Sequence, residues 1–527
     1  MKRYITLSLA LIATIICTNA RAQNAFDAYK YSQQIYEGSA RSVAMGNAMV
    51  ALGGDIGAIS INPAASGAYR FHEFVFTPSV TVATSKADYL GTATNDSKTR
   101  FGIPNFGYVG SFATGRQNSG LINWNIGIAF NRTNNFTSRM SVSGKTAESS
   151  WLGSMAQVLN NLAEKNMGVY APDMDMNSTN DPFYTSNATW KEILSWNTSL
   201  LDTLPDSPYQ YKAATENING YDIVVGGELE QNFVKESIGN ISEAVVNIGG
   251  NISNKLFFGV NLGITSILYK YSERYSETAG NPNQFDSQFR NFSHYYGYST
   301  SGTGINLKAG VIYLPAKGLR LGASISTPTW MFLHDEWSEE MTSNFADGYS
   351  QHLVSPLGSY DYRLNTPFRW NVGAAYTFGT VGVISIDYEN VNYSKMTLKE
   401  DSEVTTFDSF TDENQRIRKD FKSSDILRIG AEINATREFA IRAGYQHYSN
   451  GYKHDNTKIQ TASLGFGYAS AGGFFADLAY QMQFKNKESF QLYDDIVDVD
   501  DNLIVAAPDG LNKYGAWKLL LSVGFRF

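Results

Sequence analysis

A single cysteine, Cys17, stands in the whole chain of 527 residues. It falls in the apolar run Ile5 to Cys17, behind Lys2 and Arg3 and ahead of Ala20-Arg21-Ala22. A basic start, an apolar stretch and small residues at a cleavage point read as a signal peptide over 1–22. Cleavage leaves Gln23 first in an exported chain with no disulfide and no thiol chemistry. As a lipoprotein anchor Cys17 fits poorly, because bulky Ile16 sits where a small residue is wanted. Histidine is scarce as well: His72, His294, His334, His352, His447 and His454 are all there are. None stands at a metal-ligand or Ser–His spacing, so no catalytic residue, metal site or cofactor is assigned. The acidic run Asp494, Asp495, Asp498, Asp500 and Asp501 half resembles a calcium loop. Leu503 occupies the place of the tight-turn glycine, so the run reads as a solvated loop. Past the leader no apolar run reaches about 18 residues, which excludes a transmembrane helix. Positive charge is in deficit, 42 Lys and Arg against 50 Asp and Glu for a net −8. With no basic stripe, nucleic acid is excluded as a partner.

What is abundant points elsewhere. Glycine (46), tyrosine (32) and phenylalanine (31) are plentiful, while mean hydropathy is only −0.26. Alternation accounts for both facts. In Trp517 to Phe527 the set Trp517, Leu519, Leu521, Val523, Phe525, Phe527 is apolar, and Lys518, Leu520, Ser522, Gly524, Arg526 is mixed. This is a strand with one face in lipid, of a length that crosses a bilayer when tilted. Similar stretches recur near 71–83, 101–113, 121–132, 242–253, 256–270, 297–314, 319–331, 362–378, 381–394, 424–435, 438–449, 459–469, 474–485 and 516–527. In the third, Trp124, Ile126, Ile128 and Phe130 face out, and Asn123, Asn125, Gly127, Ala129 and Asn131 face in. Short connections (Thr114–Gly120, Asn254-Lys255, Pro315–Gly318, Gly379-Thr380, Thr436-Arg437, Ser470–Gly473) alternate with long ones near 84–100, 133–241, 271–296, 332–361, 395–423, 450–458 and 486–515. Short turns at one end and long loops at the other describe an all-β, transmembrane antiparallel barrel of about 14 strands. A closed barrel also removes the exposed edge that so apolar a last strand would otherwise present.

Two regions break the alternation. Residues 23–70 precede the wall of 71–527, and Gly38–Gly67 is dense in glycine and alanine. Ala40 to Leu52 is read as a short helix stopped by Gly53-Gly54, with Asp55 capping a further turn that Pro63 ends. Such a segment suits either a plug packed into a confined space or a plain lead-in to the first strand. The large loop 133–241 carries two helical stripes: Trp151, Leu152, Met155 and Leu159, then Trp190, Ile193 and Leu194. They form either the core of a small loop subdomain or an apolar surface for capturing greasy ligands.

Gly38-Ser39-Ala40-Arg41 with Met45-Gly46, then Asp55 and Asn62-Pro63-Ala64, resembles the N-terminal hatch of the FadL family of outer-membrane transporters. The resemblance continues through Gly239–Gly263, Thr366-Pro367, Asp387-Tyr388-Glu389 with Tyr393-Ser394, Arg428–Glu432 and Ile441–Tyr445. It spares only the long loops. It implies a barrel plugged by an N-terminal hatch, with Gly46, Asn62, Pro63 and Ala64 carrying the hatch motif. It also implies an apolar capture site on extracellular loop helices and a kinked third strand that opens a lateral exit. Within 121–132, Gly127 is the residue that permits such a kink. The chain departs from the family in a longer lead, Gln23 to Glu37, and in its enlarged loop.

The function implied is passive uptake of hydrophobic small molecules, such as long-chain fatty acids, across a bacterial outer membrane. The partners implied are that ligand, outer-membrane lipid and the barrel-insertion machinery, which would read the terminal aromatic Phe527. No TonB-box-like segment stands in 23–37, which disfavours energised uptake. Two other readings remain open: uptake of haem or another amphipathic ring, and a plugged barrel that anchors a surface or secretion complex.

Overall fold

The computed structural model describes residues 24–205, 207–220, 222–401 and 410–527. The leader 1–22, with Cys17, lies outside them. The wall is a closed antiparallel barrel of 14 strands. They are β1 (Glu73–Tyr89), β2 (Thr92–Ala113), β3 (Leu121–Asn135, resumed as Ser138–Thr146), β4 (Leu229–Ile252), β5 (Leu256–Ala279), β6 (Phe289–Ala316) and β7 (Leu319–Ser326 and Trp330–Phe345). There follow β8 (Gly358–Asn365 and Arg369–Thr377), β9 (Gly382–Asn392 and Thr397–Glu400), β10 (Ser423–Asn434), β11 (Phe439–Tyr448), β12 (Ile459–Ala469), β13 (Phe474–Gln483 and Asn486–Gln491) and β14 (Asp509–Arg526). Each stretch of alternation found in the sequence is one of these strands. Closure is made by β1 and β14, in register from Glu73↔Arg526 to Tyr89↔Gly510. The terminal Phe527 extends the seam, exchanging backbone hydrogen bonds with His72 at 3.0 and 3.1 Å.

The pleat sorts the side chains. On β5, Phe258, Val260, Leu262, Ile264 and Leu268 point outward and are exposed, whereas Asn261 and Thr265 between them are buried. On β14, Leu519, Leu521 and Phe525 are exposed while Leu520 and Ser522 are buried. Exposed apolar side chains in a continuous belt make sense only against lipid.

Strand lengths differ from expectation at the long-loop end. β5 and β6 run well beyond the apolar belt, so much of 271–296 and 332–361 is paired ribbon rather than loop. The stretch 84–100 is likewise paired strand, turned by Leu90-Gly91 at φ +47° and +78°, a two-residue hairpin that matches strand twist. Above the membrane the side chains lose their apolar alternation but the ladder persists, and so these extensions were invisible to a hydropathy reading.

The enlarged loop folds into a cap with two main helices, α3 (Trp151–Glu164) and α4 (Trp190–Asn197). A third long loop carries a helix at Thr411–Asp420. The lipid face predicts its own test. Ile264→Arg, in the middle of the belt, should destabilise the refolded barrel by about 2–4 kcal/mol, whereas Ser97→Arg, exposed on the β2 extension, should cost about 0–1 kcal/mol. Urea unfolding in lipid vesicles measures both.

Candidate functional site

Residues 24–70 run inside the barrel. Helix α1 (Ala25–Ser32) begins at Asn24, whose side chain accepts from Phe26 N and Asp27 N at 2.8 and 3.0 Å. Ala28 and Tyr31 are buried. The Tyr31 ring meets Phe136 and Tyr269 edge-on, and its hydroxyl bonds Thr300 at 2.7 Å. Around this helix the wall supplies Tyr298, Met331, Leu333, Tyr362, Leu364 and Tyr393, an apolar and aromatic zone edged with hydroxyls.

Below α1 the chain pairs with β3: Ile35 N donates to Thr133 O at 2.6 Å and Glu37 N to Arg132 O at 2.9 Å. A short helix, α2 (Ala40–Ala44), follows. It stops eight residues before the predicted Leu52, because Gly46 and Asn47 take positive φ (+61° and +52°). That turn lays backbone directly on the wall. A Cβ placed on Gly444 would stand 2.0 Å from Gly46 N, and one on Gly310 would stand 1.9 Å from Asn62 Oδ1. No larger residue fits at either point. Asp55 accepts from Gly57 N and Ala58 N, as a cap does. Pro63 opens the next turn, Pro63–Ala68, rather than closing the last.

Asn62 is fully buried and bonds in three directions, Nδ2 to Val50 O (2.7 Å) and Val311 O (3.2 Å), Oδ1 from Ala64 N (3.0 Å). Pro63 O accepts from Asn247 Nδ2 at 3.1 Å, and Ala64 packs on Phe257 and Ile312. Buried ions complete the attachment. Lys308 bridges Glu243 (2.8 Å) and Ser60 O (3.0 Å), Asp387 accepts from Val50 N (2.8 Å), and Arg41 bonds Glu432 (2.9 Å). Removing one partner of such a pair leaves a charge buried alone, at a cost of about 3–5 kcal/mol.

Among the described residues the wall lapses between β2 and β3. β2 pairs with β3 only from Asn105↔Asn131 to Ala113↔Asn123, so Thr92–Pro104 carry no strand partner on that side. Pro104, with no N–H to give, stands at the step where pairing ends. β3 shifts register between Arg132 and Asn134 and breaks at Phe136-Thr137, while remaining paired to β4. Gly127 therefore is not the kink. It sits in an unbroken ladder between Val109 and Asn247, and a glycine that tolerates a bend does not impose one.

Side chains cross the lapse instead of backbone. Arg139 bonds Asp96 (3.0 Å) and Glu236 (3.1 Å), and Lys98 bonds Glu236 (2.7 Å). Ser141 also bonds Asp96, and Arg100 reaches Gly239 O (2.8 Å). On the lipid side Phe101 is 78% exposed. Inside, two cavities of about 360 and 210 Å³ share Gln483 and Tyr514. The larger touches Phe136 and Met140 at the break, and the smaller touches Tyr29, Ile35 and Tyr393 beside α1.

No family model matches this chain, and no curated protein does. Solved structures do. The toluene transporter TodX of Pseudomonas putida is 13% identical over 93% of this chain and 98% of its own, with a TM-score of 0.50. A FadL homologue of Pseudomonas aeruginosa is 12% identical over 94% of this chain and 100% of its own, with a TM-score of 0.52. The chain has the FadL-type barrel fold.

Within that fold the cap closes the long-loop end. Leu152, Met155, Leu159, Ile193 and Leu194 are buried together in its interior. Trp151 packs on Tyr275, Phe292 and His294, and Trp190 on Phe183 and Trp337. None of the seven is displayed as an open platform; they are the cap's core and its seat on the wall. The seat is polar as well as apolar. Glu277 of β5 accepts from Trp151 N (2.9 Å), Ser150 (2.7 Å), Tyr275 (2.7 Å) and Gln231 (2.9 Å), placing a carboxylate at the start of α3 where the helix favours one. In the acidic run, Asp498 turns its carboxylate onto Asp500 N, Asn502 N and the Asn502 side chain.

Sequence reading missed the lapse. Its signals were Pro104 inside a strand and the polar, charged alternation Asp96, Lys98, Arg100 beside it. It also missed Glu216, buried in the cap under Gly153 with Oε2 accepting from Ala213 N at 2.8 Å. Burial pushes that carboxyl up to about 7, with Glu277 adding to the rise and Lys212 and the Ala213 bond opposing it. Because the folded value lies above the unfolded one, its stabilisation is full in acid and is lost as pH rises through about 7. Amide protection factors across α3, with the intrinsic base-catalysed rate divided out, should therefore fall between pH 5 and pH 8, and Glu216→Gln should flatten that dependence.

Proposed function

We propose that this chain is a passive outer-membrane channel for hydrophobic small molecules, and that cargo leaves the lumen sideways through the lapse between β2 and β3. The observation that carries the reading is the lapse itself. It lies at the edge of the apolar belt, is backed by two cavities that have Gln483 and Tyr514 in common, and is bridged by side chains that can part without unzipping the barrel. The N-terminal segment acts as the plug: Asn62, the buried ion pairs and the close glycine contacts hold it on many strands at once. Bulk leakage is blocked while a greasy solute moves along the aromatic zone beside α1. The fold shared with a toluene transporter and a FadL homologue supports this cargo class.

The finer reading is a long-chain fatty acid. Around the inner side of the lapse Arg132, Lys518 and Arg100 gather about one carboxylate, Glu37, which bonds Arg132 at 3.2 Å and also Lys518. That surplus of positive charge suits the carboxylate head of an amphiphile passing tail-first into lipid. Capture at the cap through Trp151 and Trp190 would require the cap to open, since the stripes are its interior. Phe527, paired at the closing seam, is proposed as the mark that the insertion machinery reads.

The described residues hold no cysteine, so a latch can be engineered cleanly. Asp96→Cys with Ser141→Cys places two thiols across the lapse. In proteoliposomes the oxidised variant should deliver a fluorescent fatty acid to the bilayer no faster than protein-free vesicles, and reductant should restore delivery. Unchanged heat-modifiable gel mobility would show that the barrel is intact. Delivery at the unmodified rate with the disulfide formed would place the exit elsewhere.

A further inference from the structure

A further cavity lies at the other end of the barrel, at the short turns, away from the lapse and the aromatic zone. It measures about 470 Å³ and lies between the plug turn Leu52–Gly54 and the inner ends of β10–β14. Its lining is unlike the rest of the molecule. Arg41, Arg70, Arg320, Arg437, Arg442 and Arg526 face Glu73, Glu432, Glu438 and Asp477, an excess of two positive charges in a chain whose net charge is −8.

Half of those arginines are accounted for. Arg41 and Arg442 share Glu432 at 2.9 and 2.6 Å, Arg442 also bonds Asp477 at 2.5 Å, and Arg526 bonds Glu73 at 2.6 Å. Arg70, Arg320 and Arg437 have no carboxylate at ion-pair distance among the described residues. Arg320 is the telling one, because it is half-buried and fixed in place. Its Nε donates to Ala51 O at 2.9 Å, its Nη2 donates to Leu52 O, and its guanidinium lies over the Phe257 ring at 5.9 Å. Nη1 is left without a protein partner among the described residues. A solvated surface arginine roams, whereas this one is held by the backbone of the plug with its charge uncompensated.

We infer that this cavity binds a small oxyanion, a carboxylate or phosphate group carried by a polar ligand, with Arg320 as its anchor. A planar, fixed guanidinium is suited to oxyanions because two parallel N–H groups match two oxygens. Arg70 and Arg437, exposed at the rim, supply the remaining positive field. Arg41 donates to Gly54 O at 3.3 Å, so Arg41 and Arg320 hold the same turn, Ala51–Gly54. The site is separate from the sideways route and stands or falls without it.

Calorimetric titration of the purified full-length barrel in detergent, at constant ionic strength, tests the assignment. The probes are inorganic phosphate and succinate. Saturable binding of one equivalent is expected for at least one of them. Tighter phosphate binding would assign a phosphate-bearing ligand, and tighter succinate binding a carboxylate-bearing one. Arg320→Gln should weaken the better probe by about tenfold or more, the loss of a charged hydrogen bond. Arg116→Gln, on a distant turn at the same end, should leave it unchanged. If Arg320→Gln proves not to fold, the double variant Arg70→Gln/Arg437→Gln should still weaken binding. Absence of saturable binding by both probes, or equal losses in the Arg116 and Arg320 variants, would overturn the site.

Discussion

A backbone crossing lipid must find every hydrogen bond within the protein, because no water is there to supply one. The barrel meets that demand by closing β1 on β14 and keeping its strands in register. On one side of β2, above Asn105, the ladder lapses, and the rest of the molecule is arranged around making good the loss. The inward face of the lapse is served by the N-terminal segment, whose Ile35 and Glu37 pair with Thr133 and Arg132. Its upper reach is served by the guanidinium of Arg100 and by the pairs linking Asp96, Lys98, Arg139 and Glu236. Side-chain bonds of this kind exchange one at a time, whereas a strand ladder opens only cooperatively. The weakest line in the wall is thus also the one most easily moved.

The same demand explains the lumen. At the level of Gly38–Gly67 the inward wall residues are a mixture, with Val75, Val245 and Phe257 packing on the N-terminal segment beside amides and ions. Asn247, Asn261, Lys308 and Asp387 find partners on the N-terminal segment, and Arg428 bonds Glu389 of the wall. A segment held by so many separate bonds is costly to dislodge, and the proposed cargo route accordingly runs beside it. Above that level hydroxyl-edged aromatics replace amides and ions, and there an apolar solute finds contact area without stranding polar groups.

The barrel wall was legible because lipid enforces period-two alternation wherever a strand crosses it, as Trp124 to Phe130 and Trp517 to Phe527 illustrate. Legibility failed where that enforcement stops. Ser97 and Thr99 continue β2 above the membrane without an apolar face, and so the hairpin through Leu90-Gly91 reads as loop. Within the plug, Ala40 to Leu52 has helical composition. Wall contact at Gly444 forces the chain into left-handed turns after Ala44, a tertiary constraint that local sequence does not announce. Asn62-Pro63-Ala64 was singled out from resemblance, but the bonds of Asn62 to Val50 and Val311 depend on chain neighbours far away. Gly127 was chosen for permissiveness. The break at Phe136-Thr137 instead follows from lost partners on β2, a property of two strands together.

In the proposed route, cargo moves from the aromatic zone beside α1 to the lipid through the lapse, past an N-terminal segment that stays in place. Photolabelling of the intact barrel in lipid vesicles, with a diazirine-bearing fatty acid and mass-spectrometric mapping of the adducts, tests it most directly. Adducts are expected on Tyr29, Phe136, Met140 and Tyr514, which line the two cavities, and on Phe101 at the lipid edge. Adducts concentrated on the short-turn mouth, with none on Phe136 or Met140, would contradict it.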